Sequence, residues 1–192
     1  MRRRSGAWVL IAIGVAVVIV YGATPDPPPA AGTAPLSGTP ERIVDGDTLD
    51  VAGLRIRLAG IDAPELQQTC GTPAGGTWSC GIAARQALRD LAAGPVNCTP
   101  SGSDRYGRTL ATCRSAGRDV AGALVEAGLA LGGETYRREE GAARAAGRGL
   151  WQGRFDTPAD WRRDARLAEA EAPLNPSRFE RFIAWLLEAL SG

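Results

Sequence analysis

The sequence contains no histidine and no lysine, and all 22 of its basic residues are arginine. The lack of histidine excludes imidazole acid–base catalysis and histidine-ligated zinc sites. The lack of lysine excludes Schiff-base chemistry at a lysine amine. General acid–base catalysis in this chain therefore falls to carboxylates, or less commonly to tyrosine or cysteine.

A strong excess of charge is also missing, because the formal net charge of the 192 residues is only +1. No field of the whole molecule attracts nucleic acid, so any such attraction comes from local groups of arginines. The length suits one domain with a sizeable core and appendages at its ends.

The first 23 residues combine an arginine cluster, Arg2 to Arg4, with an apolar run of 17 residues at positions 7–23. This length lies between a signal-peptide core and a full membrane span. Two interpretations stay open: a cleaved signal peptide, or a retained anchor with the arginines in the cytoplasm, which the weak cleavage signal favours. Both predict an exported protein, either membrane-anchored on the extracytoplasmic side or secreted or periplasmic.

The remaining chain divides by composition. Residues 24–40 are rich in Pro, Ala and Gly and predict an extended linker. Residues 41–163 predict the folded domain, and residues 164–192 a helical extension. In that extension Phe179, Phe182, Ile183, Leu186 and Leu190 form one apolar stripe, which is typical of a core or partner contact, with a membrane surface as the alternative.

Periodicity predicts a small α+β domain. Strands are expected at residues 41–45, 47–52, 54–60, 96–99 and 109–114. Helices are expected at residues 81–93, 119–128, 137–148, 157–170 and 177–190, several with capping residues at their starts.

Four cysteines, an even number, favour disulfides in an exported domain. Their spacing does not match a zinc site. Cys98 and Cys113 flank one turn, and Cys70 and Cys80 bracket a Gly/Thr-rich insertion. These positions favour the pairs Cys70–Cys80 and Cys98–Cys113, although three connectivities are possible and buried free thiols are the alternative.

The chemistry-bearing residues concentrate in the stretch from Arg42 to Glu65. Its carboxylates are spaced so that they can converge on one hard cation, and they are Asp45, Asp47, Asp62 and Glu65. Arg55 and Arg57 project from the strand between them, towards any anion that the cation binds. Taken singly, Asp-Gly-Asp is a turn signal and Asp62 with Glu65 has capping-box spacing. Together they suggest phosphodiester chemistry.

Several separated motifs occur in the order found in staphylococcal nuclease-like thermonucleases. They are Asp45-Gly-Asp-Thr48, the stretch from Arg55 to Glu65, Asp104-Arg-Tyr-Gly-Arg108 and Gly149-Leu-Trp151. The chain resembles this family over about residues 41–161. The resemblance implies a five-stranded OB-fold β-barrel with about three packed helices.

The resemblance also implies roles for particular residues. Asp47, Asp62 and the backbone carbonyl of Ala63 would bind Ca²⁺. Asp45 would not contact the ion but would help to set its position. Glu65 would be the general base, and Arg57 and Arg108 would bind the scissile phosphate. Tyr106 and Tyr136 match positions that contact the bound nucleotide.

The implied function is an exported, Ca²⁺-dependent, sugar-nonspecific nuclease that hydrolyses DNA and RNA to 3′-phosphate products, and no protein partner is inferred. A noncatalytic nucleic-acid- or protein-binding module of the same fold is the alternative, and a membrane-tethered scaffold is a third interpretation. Glu134 stands where a second stacking tyrosine occurs in the family, which weakens or changes the expected base contacts. Ala63 replaces a common hydroxyl residue, without affecting a backbone ligand.

Overall fold

The computed structural model describes residues 34–171 and 178–190. The predicted signal peptide or anchor and most of the predicted linker lie outside these residues, as does Ser177, the predicted start of the last helix. Within the described residues, no helix combines the length and the apolar character that a membrane crossing requires.

The β-structure centres on one mixed sheet. Its strands and the short strands beside it are β1 (Leu36–Gly38), β2 (Arg42–Ile43), β3 (Thr48–Val51), β4 (Leu54–Leu58), β5 (Ile61–Asp62), β6 (Cys70–Gly71), β7 (Thr77–Trp78), β8 (Val96–Ser103), β9 (Thr109–Ser115), β10 (Arg118–Asp119) and β11 (Leu131–Gly132). The main sheet has the order β1-β8-β9-β4-β3-β2, with β10 paired to β9. Strands β5 and β11 form a separate antiparallel pair, as do β6 and β7.

The main sheet is curled, which brings its edge strand β1 close to β3. A Cβ built at Gly38 would lie 3.4 Å from a methyl carbon of Val51. The alternating apolar residues of β3 and β4 point into the curl and are fully buried, as Leu49 and Ile56 show. This closed curvature agrees with the predicted OB-fold barrel, and the α+β class is confirmed.

Strand β1 corrects the predicted linker, which was expected to run to residue 40. Leu36 lies opposite Cys98 in an antiparallel pair with β8 and packs against the core. The hydroxyl of Ser37 donates a hydrogen bond to Asn97. A single leucine within a Pro/Ala-rich run gives little local indication of a strand. The strand forms by pairing with the open edge of β8.

The helices and 3₁₀ turns alternate with the later strands and follow them in the chain. They are α1 (Cys80–Leu91), α2 (Val120–Glu126), a 3₁₀ turn (Glu134–Tyr136), α3 (Arg137–Ala145), a second 3₁₀ turn (Gly149–Gln152), α4 (Pro158–Glu171) and α5 (Arg178–Leu190). Two predicted caps are confirmed. Asp119 accepts a hydrogen bond from the Gly122 amide, and Thr157 Oγ1 accepts one from the Asp160 amide.

Helix α3 is shorter than predicted, because it ends at Ala145 rather than Arg148. Gly147 and Gly149 follow with positive φ angles of 59° and 54°, which end the helix and begin the second 3₁₀ turn. Strand β8, by contrast, continues to Ser103 through an irregularity at Pro100, beyond the predicted end at Thr99.

Both predicted disulfides are present, and the described residues contain no free cysteine. Cys98 and Cys113 are partners in the β8–β9 register, so their bond crosslinks two neighbouring strands. Cys70 and Cys80 tie the β6–β7 hairpin to the first residue of α1, beside buried Leu150. The Cys70–Cys80 disulfide therefore holds the segment that follows Glu65.

Of the apolar stripe predicted for α5, the side chains of Phe182, Leu186 and Leu190 are exposed. Phe182 is 52% exposed and Leu190 is 77% exposed, and Trp185 and Leu187 add further exposed apolar surface.

Candidate active site

The turn between β2 and β3 carries Asp45, Gly46 and Asp47. The side chain of Asp45 accepts a hydrogen bond from the Asp47 amide at 3.0 Å, which holds the turn. A Cβ at Gly46 would lie 2.7 Å from the Cβ atoms of both Ala63 and Ala84. The lack of a side chain at Gly46 therefore lets this turn pack directly on the Asp62–Ala63 turn.

Asp47 lies at the bottom of the site with only 3% of its surface exposed. Its Oδ1 accepts hydrogen bonds from Thr48 Oγ1 at 2.9 Å and from Arg57 Nη1 at 2.7 Å. Its Oδ2 accepts a bond from the Ala63 amide at 3.2 Å. Burial raises the pKa of Asp47 to about 7; Arg57 opposes this shift, and the neighbouring carboxylate of Asp45 adds to it.

Arg57, on β4, joins the two candidate metal-ligating carboxylates. Its Nη1 binds Asp47 and its Nη2 binds Asp62 Oδ1 at 2.9 Å. Thr48 and Arg57 are register partners across β3 and β4, so the sheet itself sets this position. Within the described residues, the Nε–H of Arg57 donates to no group and is available for another acceptor.

Arg108 reaches the same place from the turn between β8 and β9. Asp104 holds it by a 2.7 Å bond to Nε, and Nη1 lies 3.5 Å from Thr48 Oγ1. Burial opposes the ionisation of Asp104, but hydrogen bonds from Arg108 outweigh it and lower the pKa of that carboxyl. Tyr106, in the same turn, is 72% exposed, with the Arg105 and Arg108 guanidinium groups 5.4 and 5.6 Å from its ring centre.

These groups line one open cleft of about 740 Å³. Its lining includes Asp45, Asp47, Ala63, Glu65, four arginines of the sheet and its turns (Arg55, Arg57, Arg105, Arg108), Tyr106, and Arg162 and Arg166 from α4. The predicted carboxylates, arginines and Tyr106 thus come together, with Asp62 bound to Arg57 at the same place.

Tyr136 lies in the core and does not line this cleft, so its predicted contact with a nucleotide stays a prediction. It is only 6% exposed, in the core, and its hydroxyl lies 3.2 Å from Asp119 Oδ1. Burial, followed by the charge of Asp119, raises the pKa of Tyr136 to about 12. Its ring packs against Gly60 and Gly122, as the side chain of a core residue does.

Two residues that the sequence did not indicate also belong to the site. Arg162 on α4 binds both Asp62 and Glu65. Gln68, fully buried, binds the backbone of Glu65. Both contacts link residues that are far apart or irregularly spaced in the chain, and no local pattern marks them.

The donor set fits a hard cation. Asp47 and Asp62 are carboxylates that the Arg57 guanidinium joins, and Arg162 also binds Asp62. In residues 34–171 and 178–190, no group of three or more His, Cys, Asp or Glu side chains is arranged to hold a metal. A cation here would therefore take oxygen ligands from two carboxylates, the main chain and water, as Ca²⁺ does.

Comparison with known proteins gives the family that the sequence motifs resemble. Residues 55–153 match the family described as staphylococcal nuclease homologue. Micrococcal nuclease of Shigella flexneri is 38% identical over 112 residues, covering 56% of this chain and 55% of the relative. The succinoglycan biosynthesis protein ExoI of Rhizobium meliloti (strain 1021) is 37% identical over 118 residues, which cover 57% of this chain and 62% of the relative.

A third relative extends the similarity over nearly its whole length. Protein ParB of Escherichia coli is 34% identical over 188 residues, which cover 86% of this chain and 96% of the relative. The family match and this long alignment show that the chain belongs to the staphylococcal nuclease homologue family.

Proposed function

We propose that the protein is an exported, Ca²⁺-dependent nuclease that hydrolyses phosphodiester bonds of DNA and RNA and leaves 3′-phosphates. The observation that supports this best is the convergence of Asp47, Asp62, Glu65, Arg57 and Arg108 on one cleft. A noncatalytic module would not need a general base beside two paired carboxylates and two phosphate-binding arginines.

Asp47, Asp62 and the Ala63 carbonyl would hold Ca²⁺, with Asp45 orienting the Asp47 turn. The bound cation supplies positive charge beside the phosphate and polarises a nearby water molecule. The turn geometry supports this set, because the Ala63 amide and Asp47 are already in contact.

Glu65 would accept the proton of the attacking water. The water oxygen forms a bond to phosphorus, the bond from phosphorus to the 5′ oxygen breaks, and the leaving oxygen takes up a proton. Glu65 suits the role of base because its Oε1 is bound by Arg162, while its Oε2 accepts no hydrogen bond from the described residues. A carboxylate with one free oxygen can accept a proton along a defined direction.

Arg57 and Arg108 would neutralise the charge that grows on the phosphate oxygens. Each is oriented by acids of the site, and each keeps donors that bind nothing within the described residues: Nε of Arg57 and Nη2 of Arg108. A planar guanidinium can hold two phosphate oxygens and stays charged throughout the reaction.

The test is cleavage of DNA and RNA by the purified protein with millimolar Ca²⁺ and then with a chelator. We expect cleavage of both polymers only with Ca²⁺. The products should resist extension by a polymerase until a phosphatase removes their 3′-phosphates. Binding of either polymer without cleavage would favour the noncatalytic module instead.

Export is supported by the two disulfides, which persist in oxidising compartments. The arginine cluster and apolar run at residues 2–23 support the same location. Because β1 starts at Leu36, a topology reporter should be fused before residue 34 rather than inside the strand. Alkaline phosphatase should then be active, and activity of a cytoplasm-only reporter alone would contradict export.

A further inference from the structure

Helix α4 reaches into the cleft from beyond the matched family region, which ends at residue 153. Arg162, in its second turn, binds Asp62 with two nitrogens, at 2.9 Å from Nη2 to Oδ2 and 3.1 Å from Nη1 to Oδ1. The same Nη1 binds Glu65 Oε1 at 2.7 Å. One guanidinium thus fixes a candidate metal ligand and the candidate base relative to each other.

The backbone of Glu65 is tied to the same segment. Buried Gln68 accepts a hydrogen bond from the Glu65 amide at 3.1 Å through its side chain. Its Nε2 donates to the carbonyl of Asp156 at 2.7 Å, two residues before α4 begins. Residues 156–162 therefore hold Glu65 at its main chain, through Gln68, and at its side chain, through Arg162.

Contacts other than those of Arg162 also hold the segment that leads into α4. The Gly71 amide binds the Arg154 carbonyl at 2.7 Å, the rings of Trp151 and Phe155 pack 5.0 Å apart, and Thr157 caps the helix. The Gly71–Arg154 bond and the packing of Phe155 beside Leu150 join this segment to the domain, and the Thr157 cap defines where the helix starts.

We propose that Arg162 is a positioning residue of the reaction, which sets the direction in which Glu65 accepts its proton. The inference rests on the proposed nuclease function. Glu65 has 37% of its side chain exposed, and a glutamate this accessible samples several rotamers unless it is bound. The short charge-assisted bond to Oε1 selects one rotamer and leaves Oε2 free, and misplacement of a catalytic group by about 1 Å costs about 100-fold in rate.

The chain offers a matched control beside Arg162. Arg163 is also partly exposed, but it pairs with Asp160 at 2.8 Å and Asp164 at 3.7 Å on its own helix. Arg163→Ala removes the same charge from the next position without touching the site. Arg166, which lines the cleft and makes no ion pair within the described residues, serves as a control for phosphate binding.

Turnover should separate these variants. Arg162→Ala should lower kcat by about 10- to 100-fold with little change in KM, and Arg162→Lys should retain part of the rate through one remaining contact. Arg163→Ala should cleave like the wild type. In a Glu65→Gln background, Arg162→Ala should lower kcat by less than it does in the wild type, because only its contact with Asp62 then remains to be lost.

Affinity for a single-stranded oligonucleotide, measured by fluorescence anisotropy with a chelator present, provides a readout without turnover. Arg162→Ala should bind like the wild type, since its guanidinium is committed to Asp62 and Glu65, whereas Arg166→Ala should bind more weakly. Weakening equal to that of Arg166→Ala would make Arg162 a phosphate-binding residue and overturn the proposal.

Two other results would also overturn it: wild-type turnover in Arg162→Ala, or an undiminished loss when Arg162→Ala is added to Glu65→Gln. In both cases a wild type that cleaves leaves the nuclease function standing. A wild type that does not cleave overturns the function and this inference together. If Arg162→Ala does not fold, Arg162→Lys carries the same comparisons.

Discussion

Among single residues, the close approach of the two carboxylate turns depends on Gly46, where any side chain would meet Ala63 and Ala84 at 2.7 Å. Gly46→Ala should lower the free energy of unfolding by about 1–3 kcal/mol, because the packed core cannot absorb the added methyl group. It should also separate Asp47 from Asp62 and reduce cleavage. Chemical denaturation and the cleavage rate measure the two effects.

Gly141→Ala is the control, because a Cβ at this exposed site on α3 meets nothing within 4 Å. Replacing a helical glycine by alanine should raise stability by about 0.5–1 kcal/mol and leave cleavage unchanged. If Gly46→Ala were as active and stable as the wild type, the two turns would not need their close contact.

A second prediction about a single residue concerns Tyr136, and it distinguishes a structural role from contact with a nucleotide. Tyr136→Phe removes the hydrogen bond to Asp119 and should lower stability by about 0.5–1.5 kcal/mol at neutral pH, without changing cleavage. A loss of cleavage at unchanged stability would return the residue to substrate binding.

The pKa of Tyr136 makes this effect depend on pH. Its folded value of about 12 lies above the ordinary value of 10.0, so folding favours the protonated hydroxyl. The stabilisation is therefore complete below pH 10 and is lost as pH rises towards 12. Urea unfolding of wild type and Tyr136→Phe at about pH 8 and about pH 11 should show the difference shrinking at the higher pH.

Among elements, the two disulfides should differ in what they do. Cys70–Cys80 closes the loop after Glu65, and α1 then packs so tightly that a Cβ at Gly81 would overlap the Glu65 carbonyl. Replacing both cysteines of this pair with serine should cost about 2–4 kcal/mol of stability and also lower kcat, because the loop beside Glu65, the proposed base, loosens.

The Cys98–Cys113 pair is the matched comparison, because it joins β8 and β9, which already form a ladder. Its removal should also lower stability, while kcat of the folded enzyme stays the same. Equal kcat for both double variants at a temperature where each is folded would show that the Cys70–Cys80 loop does not support Glu65.

Elements also show what the sequence could and could not predict. Asp47, Arg57 and Asp62 lie close together in the chain, and the spacing of the two turns, with strand alternation at Arg57, predicts that they converge. Arg162 lies 97 residues after Glu65 and has an arginine beside it, so no local pattern distinguishes the one that enters the cleft. Strand β1 and the burial of Tyr136 likewise depend on contacts with distant residues.

For the whole molecule, the near-zero net charge means that any attraction of nucleic acid depends on the local distribution of arginines. Arg55, Arg57, Arg108 and Arg162 are paired with acids, so within the described part of the cleft Arg105 and Arg166 are its unpaired arginines. Each should contact one phosphate of a single strand. Arg105→Ala and Arg166→Ala should each reduce the slope of log affinity against log salt by about 0.7.

Arg118→Ala is the control for this prediction, since Arg118 pairs with Glu126 and does not line the cleft. Its salt slope should equal that of the wild type, measured by titration of a labelled oligonucleotide at several salt concentrations with a chelator present. Equal slopes for all three variants would mean that the nucleic-acid strand does not follow this cleft.

The measurement that tests the central claim most directly is the single-turnover rate of Glu65→Gln beside the wild type, with millimolar Ca²⁺. The substitution keeps the size of the side chain and the Asp47 and Asp62 carboxylates, but removes the proton acceptor. We predict a rate lower by about 10²- to 10⁴-fold with oligonucleotide affinity unchanged or slightly higher. A Glu65→Gln variant that cleaves as fast as the wild type would contradict the assignment of Glu65 as the base.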